Sequence, residues 1–176
     1  VQTTASGAVA VAILDDEQTV ATAQAESNGK AVLRVQIPNA KLWSPDSPAL
    51  YRCRAMFGDD CAETTFGVRT LSWGDDGFLL NGKRVILLGA CVHHDHGVLG
   101  ACCYPEAEER KVRLLQKVGY NAVRCAHNPC SKAFLDACDR LGMLVMDEYA
   151  DMWYIHKTQY DYASYLPDRW RQDLES

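Results

Sequence analysis

Apolar and polar positions keep one rhythm through residues 1–72 and another afterwards. In the first stretch the rhythm is two. Val9, Val11 and Ile13 alternate with small partners, and Ala31, Leu33, Val35 and Ile37 alternate with Val32, Arg34 and Gln36. Tyr51, Cys53, Ala55 and Phe57 share one side of a strand that turns at Gly58-Asp59-Asp60 and returns through Ala62, Thr64, Phe66 and Val68. Such alternation predicts strands with one buried side. Ser27-Asn28-Gly29-Lys30 reads as a turn between strands. Pro38, Pro45 and Pro48 around Trp43 read as a loop held by an aromatic anchor. Short strands spaced by turns predict a small β-sandwich.

Residues 71–77 read as the boundary, which divides the chain into 1–72 and 73–176. Asn81-Gly82 between Phe78-Leu79-Leu80 and Arg84-Val85-Ile86-Leu87 is a strong hairpin signal. Three continuous apolar runs follow, at 85–92, 121–127 and 143–148. Between them lie two amphipathic helices. The first opens on Pro105, with Glu106, Glu108 and Glu109 favouring its dipole. Its stripe is Val112, Leu115 and Val118, with Leu114 beside them, and Gly119 ends it. The second has Ser131 as N-cap, a stripe of Phe134, Leu135, Cys138 and Leu141, and Gly142 as its stop. This β-α-β-α-β order calls for right-handed crossovers and a parallel sheet with strands buried on both faces. The pattern predicts the opening of a (β/α) barrel. Beyond Asp151 it turns aromatic, through Trp153, Tyr154, Tyr160, Tyr162 and Tyr165, and a last helix is predicted near 167–175 with Trp170 and Leu174.

Composition narrows the function classes. A formal charge of −5 and a pI near 5.5 argue against nucleic-acid and anionic-membrane partners. No apolar run approaches the ~18 residues of a membrane span. No signal peptide is visible, and a chain opening on Val1 in a strand pattern is expected to be a piece of something longer. The eight cysteines lie mostly inside apolar runs and include no Cys-x-x-Cys pair. Cys91, Cys125 and Cys138 take core positions, where a thiol behaves as a small hydrophobe. Pairing across the Gly58 turn is expected to place Cys53 near Thr65 and Cys61 near Phe57, so no disulfide is expected there. Reduced thiols, a reducing compartment and hence the cytoplasm are the expectation.

Each apolar run ends in residues capable of chemistry, as at the functional rim of an α/β sheet or barrel. The first ends in His93-His94-Asp95-His96. Here His94 and His96 could hold a divalent metal, as in metal-dependent hydrolases, while sugar contact and simple strand-end hydrogen bonding are the other readings. Arg124 lies inside an apolar strand and is costly there unless paired. Asp147 and Glu148 are the partners at hand, either in a structural ion pair or in tuning a catalytic carboxylate. His127-Asn128-Pro129 turns the chain at the rim and offers a clamp for hydroxyl groups. Asp151 can accept from hydroxyls, and Trp153 can stack on a sugar or pack on the loop.

Five motifs resemble glycoside hydrolase family two, which holds β-galactosidases, β-glucuronidases and β-mannosidases. They are Phe66-Gly67-Val68-Arg69-Thr70, Gly77-Phe78-Leu79-Leu80-Asn81-Gly82-Lys83, Gly89-Ala90-Cys91-Val92-His93-His94-Asp95, Asn121 through Pro129, and Asp147-Glu148-Tyr149-Ala150-Asp151-Met152-Trp153. Their wording is most similar to the β-galactosidase branch. The resemblance implies an immunoglobulin-like β-sandwich at 1–72 and the first three β/α units of a (β/α)8 barrel at 73–176, from a family that also carries a jelly-roll domain. It implies that His93 and His127 contact the sugar and that Arg124 lies beside the nucleophile. Cys91-Val92 replace an Asn-Arg pair of many galactosidases. Met152 and Tyr154 stand where some members carry magnesium ligands, so no metal and no cofactor is carried over.

The family's two catalytic glutamates would both lie beyond Ser176. A retaining mechanism needs carboxyls about 5 Å apart, and adjacent Asp147 and Glu148 point to opposite faces of a strand. The expectation is therefore a fragment of a retaining exo-acting β-glycosidase for terminal β-linked sugars, with β-galactosides first, inactive by itself. Substrate contacts are assigned to His93, His127, Asn128, Asp151 and Trp153, and support of the catalytic carboxylates to Arg124, Asp147 and Glu148. Unpaired strand edges are expected to make the chain self-associate. The alternatives are a metal-dependent hydrolase around His94 and His96, and a non-catalytic carbohydrate-binding sandwich. The second is weaker, because the polar constellation lies in the α/β half.

Overall fold

β1 (Gln2–Asp15) is the spine of the N-terminal unit in a computed structural model of the chain, which describes residues 1–175. Ser176, the end of the expected barrel portion, lies outside the described residues. β1 pairs antiparallel with β2 (Gln18–Lys30) on one side and β3 (Tyr51–Phe57) on the other, and β3 pairs with β4 (Asp60–Phe66). The sheet order is β2-β1-β3-β4. Alternation sends Val9, Val11, Ile13 and Tyr51 into one buried cluster with Ala31. Leu33, Val35 and Ile37 pack against it. The run 31–37 thus alternates in and out as read from its pattern, yet it belongs to no ladder. Burial alternation needs a surface to lie on, and a hydrogen-bonded neighbour is a separate requirement.

Two local readings change. Ser27-Asn28-Gly29-Lys30 is no turn: it continues β2, with Gln2 opposite Lys30 and Ser6 opposite Asn28 across an irregular register. The polar side chains that suggested a turn find partners on β1 instead, Ser27 with Thr3 at 2.7 Å and Asn28 with Ser6 at 2.8 Å. Across the Gly58 turn, Cys53 faces Thr64 and Cys61 faces Met56, one step from the expected register. All eight cysteines are unpaired.

Trp43 is fully buried and anchors its loop as expected. Its N–H donates to the Val68 carbonyl, and Asn81 Nδ2 donates to its own carbonyl at 3.0 Å. A Cβ at Gly67 would come within 2.8 Å of the Trp43 Cβ, so the close approach requires glycine. Residues 71–77, read as the boundary, belong to a small sheet. β5 (Leu71–Gly74) pairs with β6 (Gly77–Leu80), which pairs with β7 (Lys83–Arg84) across Asn81-Gly82. Positive φ at both Asn81 and Gly82 is what a tight hairpin of this hand requires. The compact units part between Ile86 and Leu87.

The C-terminal unit is a parallel sheet of β8 (Gly89–Val92), β9 (Ala122–Cys125) and β10 (Leu144–Asp147), in the order β10-β9-β8. α1 (Pro105–Lys117) and α2 (Lys132–Leu141) contribute Val112, Phe134, Ala137 and Cys138 to a core shared with Val123 and Cys125 of β9. Ser131 Oγ accepts from the Phe134 N–H, and Gly142 closes α2 in the left-handed region, as the sequence predicts. α3 (Leu166–Glu175) begins one residue ahead of the predicted helix, with Leu166 buried and Trp170 and Leu174 exposed.

Three expectations about this unit are corrected. The first apolar run is not one long strand: residues 85–88 lie outside the ladder, and Ile86 is 68% exposed. Asn121 ends the pairing there, because its side-chain oxygen takes the Leu88 N–H while its own N–H donates to the Leu88 carbonyl. Pairing starts at Gly89, where any Cβ would lie 1.8 Å from the Ala122 carbonyl oxygen. Second, the strands are not buried on both faces, since Cys91 is exposed and Met146 is 60% exposed on the face away from the helices. A continuous apolar run specifies what a face carries, and cover must come from another element. Third, Leu114 and Val118 of the predicted α1 stripe are exposed, whereas Glu108 is only 1% exposed.

Candidate functional site

The C-terminal ends of the parallel strands bring the polar residues together. In register, Arg124 lies between Cys91 and Met146, so all three share the face turned away from the helices. Glu148, two residues beyond Met146, joins the same side. Arg124 Nη2 donates to Glu148 Oε1 at 2.8 Å, and Nη1 reaches Cys91 Sγ at 3.4 Å. The guanidinium inside an apolar strand is thus paired, as its cost there requires. His127 Nδ1 lies 3.1 Å from Glu148 Oε2 and 3.5 Å from Asp151 Oδ1. The His93 ring meets the His127 ring edge-on, with centroids 5.7 Å apart. Asp151 also pairs with Lys157. His93, Arg124, His127, Glu148 and Asp151 therefore form one constellation.

Its electrostatics are those of a clamp. Desolvation pushes the Glu148 carboxyl up, but hydrogen bonds from Arg124 and His127 outweigh it and hold the group below the usual carboxylate range. The hydrogen bond from Lys157, with the charges of Lys157, His127 and Arg124, holds Asp151 low against its own desolvation. Both carboxylates stay ionised acceptors at neutral pH.

Asp147 is not part of this group. Its carboxylate accepts the Cys130 N–H at 3.1 Å on the helix side, because adjacent strand residues face opposite ways. Its assignment as a support for catalytic carboxylates is corrected on that ground. His94 and His96 do not converge as metal ligands either. His94 Nδ1 lies 3.2 Å from Cys103 Sγ and its Nε2 lies 3.2 Å from the Pro129 carbonyl oxygen, so this ring braces the loop behind His127. His96 Nε2 lies 3.2 Å from Glu108 Oε2 instead. Asn128 is exposed and lines a small cavity with His93 and His94, of about 10 Å³, room for about one water. Trp153 tilts against Tyr149 at 6.0 Å between centroids and is still 52% exposed, leaving ring surface free for stacking.

Sequence reasoning missed the support beneath the rim. Glu108 accepts from Ser131 Oγ at 3.0 Å and pairs with Lys111 at 3.1 Å, and Lys111 donates to the His93 carbonyl at 3.1 Å. Burial raises the Glu108 carboxyl, and the bonds from Lys111 and Ser131 bring it below the ordinary value. The signal was available: Glu108 stands four residues before Val112 and seven before Leu115, on the apolar stripe itself. Tyr149 and Tyr162 both donate to Asp173, a connection from the rim to α3 that no local pattern announces.

Known proteins resemble this chain in sequence and in fold. Residues 2–69 match glycosyl hydrolases family 2, and residues 72–163 match the TIM barrel domain of the same family. A β-galactosidase of Bacteroides ovatus, BoGH2A, is 39% identical over 165 residues, covering 89% of this chain and 19% of its own length. A putative β-glucuronidase of Formosa agariphila is 38% identical over 146 residues, covering 80% of this chain and 14% of its own length. A crystal structure of a glycosyl hydrolase family 2 member from Bacteroides cellulosilyticus superposes with a TM-score of 0.86 at 40% identity, covering 97% of this chain and 24% of that one. The chain thus spans between about a seventh and a quarter of the length of these three proteins. With both matched regions in family order, the chain belongs to glycosyl hydrolase family 2, as a sandwich domain followed by the start of the TIM barrel domain.

Proposed function

We propose that this chain supplies one wall of the sugar pocket of a retaining exo-acting β-glycosidase, with terminal β-galactosides as substrate. The observation that carries the reading is the convergence of His93, Arg124, His127, Glu148 and Asp151 at the ends of consecutive parallel strands. His93, His127, Asn128 and Asp151 hold the sugar hydroxyls, and the exposed face of Trp153 stacks on the ring. Arg124 and Glu148 set the position of His127 and the local charge.

The acid/base and nucleophile are assigned to glutamates outside these residues. Glu148 and Asp151 both approach His127, but neither can serve as the acid, whose pKa must be raised. Both are held low by cations. The chain alone is accordingly expected to leave a chromogenic β-galactoside uncleaved. Turnover above a matched blank that disappears in a Glu148→Gln variant would overturn this assignment. Binding tests the pocket separately. Titration with galactose should give weak saturable quenching of tryptophan fluorescence, lost in His127→Ala. The 38% identity to a putative β-glucuronidase makes glucuronate the competing ligand. Preference for glucuronate over galactose in the same titration would move the substrate assignment to that class.

A further inference from the structure

We propose that Cys125, Cys130 and Asp147 form a binding site for one thiophilic divalent cation of zinc-like chemistry, on the helix side of the parallel sheet. The two sulfurs and a carboxylate oxygen all lie within 4.8 Å of one another. In a tetrahedral zinc site such donors stand about 3.5–3.8 Å apart, so small inward movements complete the arrangement. The backbone already fixes the pieces. Asp147 and Cys125 face each other across the β10–β9 ladder. Cys130 comes from the loop into α2, and its N–H donates to Asp147 Oδ1, which aims the carboxylate. Burial is graded from Cys125, buried, through Cys130, half-buried, to Asp147, exposed, which leaves an approach from solvent and a fourth position for water.

Without a cation this cluster sets two thiols against a carboxylate. A divalent cation relieves that crowding. Binding exchanges the two thiol protons for the metal, leaving two metal-bound thiolates and releasing two protons to solvent. Soft sulfur donors select zinc or cadmium over magnesium or calcium. The two cysteines bracket residues 126–129, so the cation would staple both ends of the loop that carries His127 and Asn128. This site stands whether or not the sugar reading does.

The test is a titration of the reduced 176-residue chain with cadmium, followed by its thiolate charge-transfer absorbance in the ultraviolet, with zinc measured by competition. One equivalent with two thiolate ligands is expected. Because Cys125 is buried and its replacement risks unfolding, the partly accessible positions carry the test. Cys130→Ser should halve the absorbance and weaken binding at least about tenfold, and Asp147→Asn should weaken it measurably. Both variants should keep the wild-type circular dichroism spectrum, and Cys102→Ser should bind as wild type. Absence of cadmium binding would overturn the proposal. So would binding unchanged in Cys130→Ser, or thiol counting that finds Cys125 and Cys130 joined as a disulfide in the purified chain.

Discussion

The two faces of the β8-β9-β10 sheet are built from the same short strands and behave in opposite ways. On the helix side, Val123 and Cys125 join Phe134, Ala137 and Cys138 in a buried apolar cluster. On the other side, Arg124, which sits between them in sequence, meets Cys91 and Glu148 at an open surface. Asp147 and Glu148 show the contrast most directly. One residue accepts a backbone N–H beneath the sheet, and its neighbour accepts Arg124 and His127 above it. What a carboxylate can do here follows from strand parity, since a step of one residue exchanges core for pocket.

The helix side thus carries most of the stability, together with the proposed cation site, and the open side carries the proposed sugar contacts. Phe134→Ala should have the largest effect, lowering unfolding free energy by about 3–5 kcal/mol. Urea denaturation measures it, and a loss comparable to a surface mutation would break the division. Glu108→Ala comes next, at roughly 3 kcal/mol, because it removes a buried charged acceptor from Ser131 and Lys111. Glu108→Gln should cost less, since an amide oxygen can still accept from Ser131.

Acid sharpens the same contrast. Glu108 and Glu148 both have folded-state values below the ordinary carboxylate value. Their contribution is complete above the unfolded value of about 4.3 and is lost as pH falls through the lower folded values. Arg124→Ala should change stability far less than Phe134→Ala or Glu108→Ala, as expected of a solvent-screened pair. It should let the Glu148 carboxyl rise, visible in an NMR titration, and should abolish galactose binding. A stability loss as large as that of Phe134→Ala would place Arg124 in the core instead.

The smallest effect is expected at Met146, exposed on the open face. Met146→Thr should stay within about 0.5 kcal/mol in stability. We expect the chain to self-associate through its exposed apolar groups, and this variant should lower the apparent mass in light scattering. A monodisperse monomer for the unaltered chain would remove the basis for that expectation.

Much of the fold was readable because its signals are local. Asn81-Gly82 announces a hairpin, Ser131 and Gly142 bracket α2, and period-two alternation in Tyr51–Phe57 marks an inward-facing side; each depends on residues a few positions apart. The same logic placed His93, Arg124 and His127 at neighbouring strand ends and put Asp147 and Glu148 on opposite faces. It failed at Ser27-Asn28-Gly29-Lys30, where turn-forming side chains were satisfied by Thr3 and Ser6 on another strand. It failed again at residues 85–88, where Asn121 ends a ladder that apolar composition alone would prolong.

By itself, then, the sequence determined the order of elements, their caps and which side chains share a face, because these follow from backbone periodicity. Tertiary structure alone decided that Arg124 takes Glu148 and leaves Asp147 to Cys130, that His94 and His96 turn to separate partners, and that Glu108 is buried beneath Ser131. Those choices join residues 12 to 35 positions apart. Periodicity says which way a side chain points. Only the register between strands, and the loops that set it, determine what it meets there.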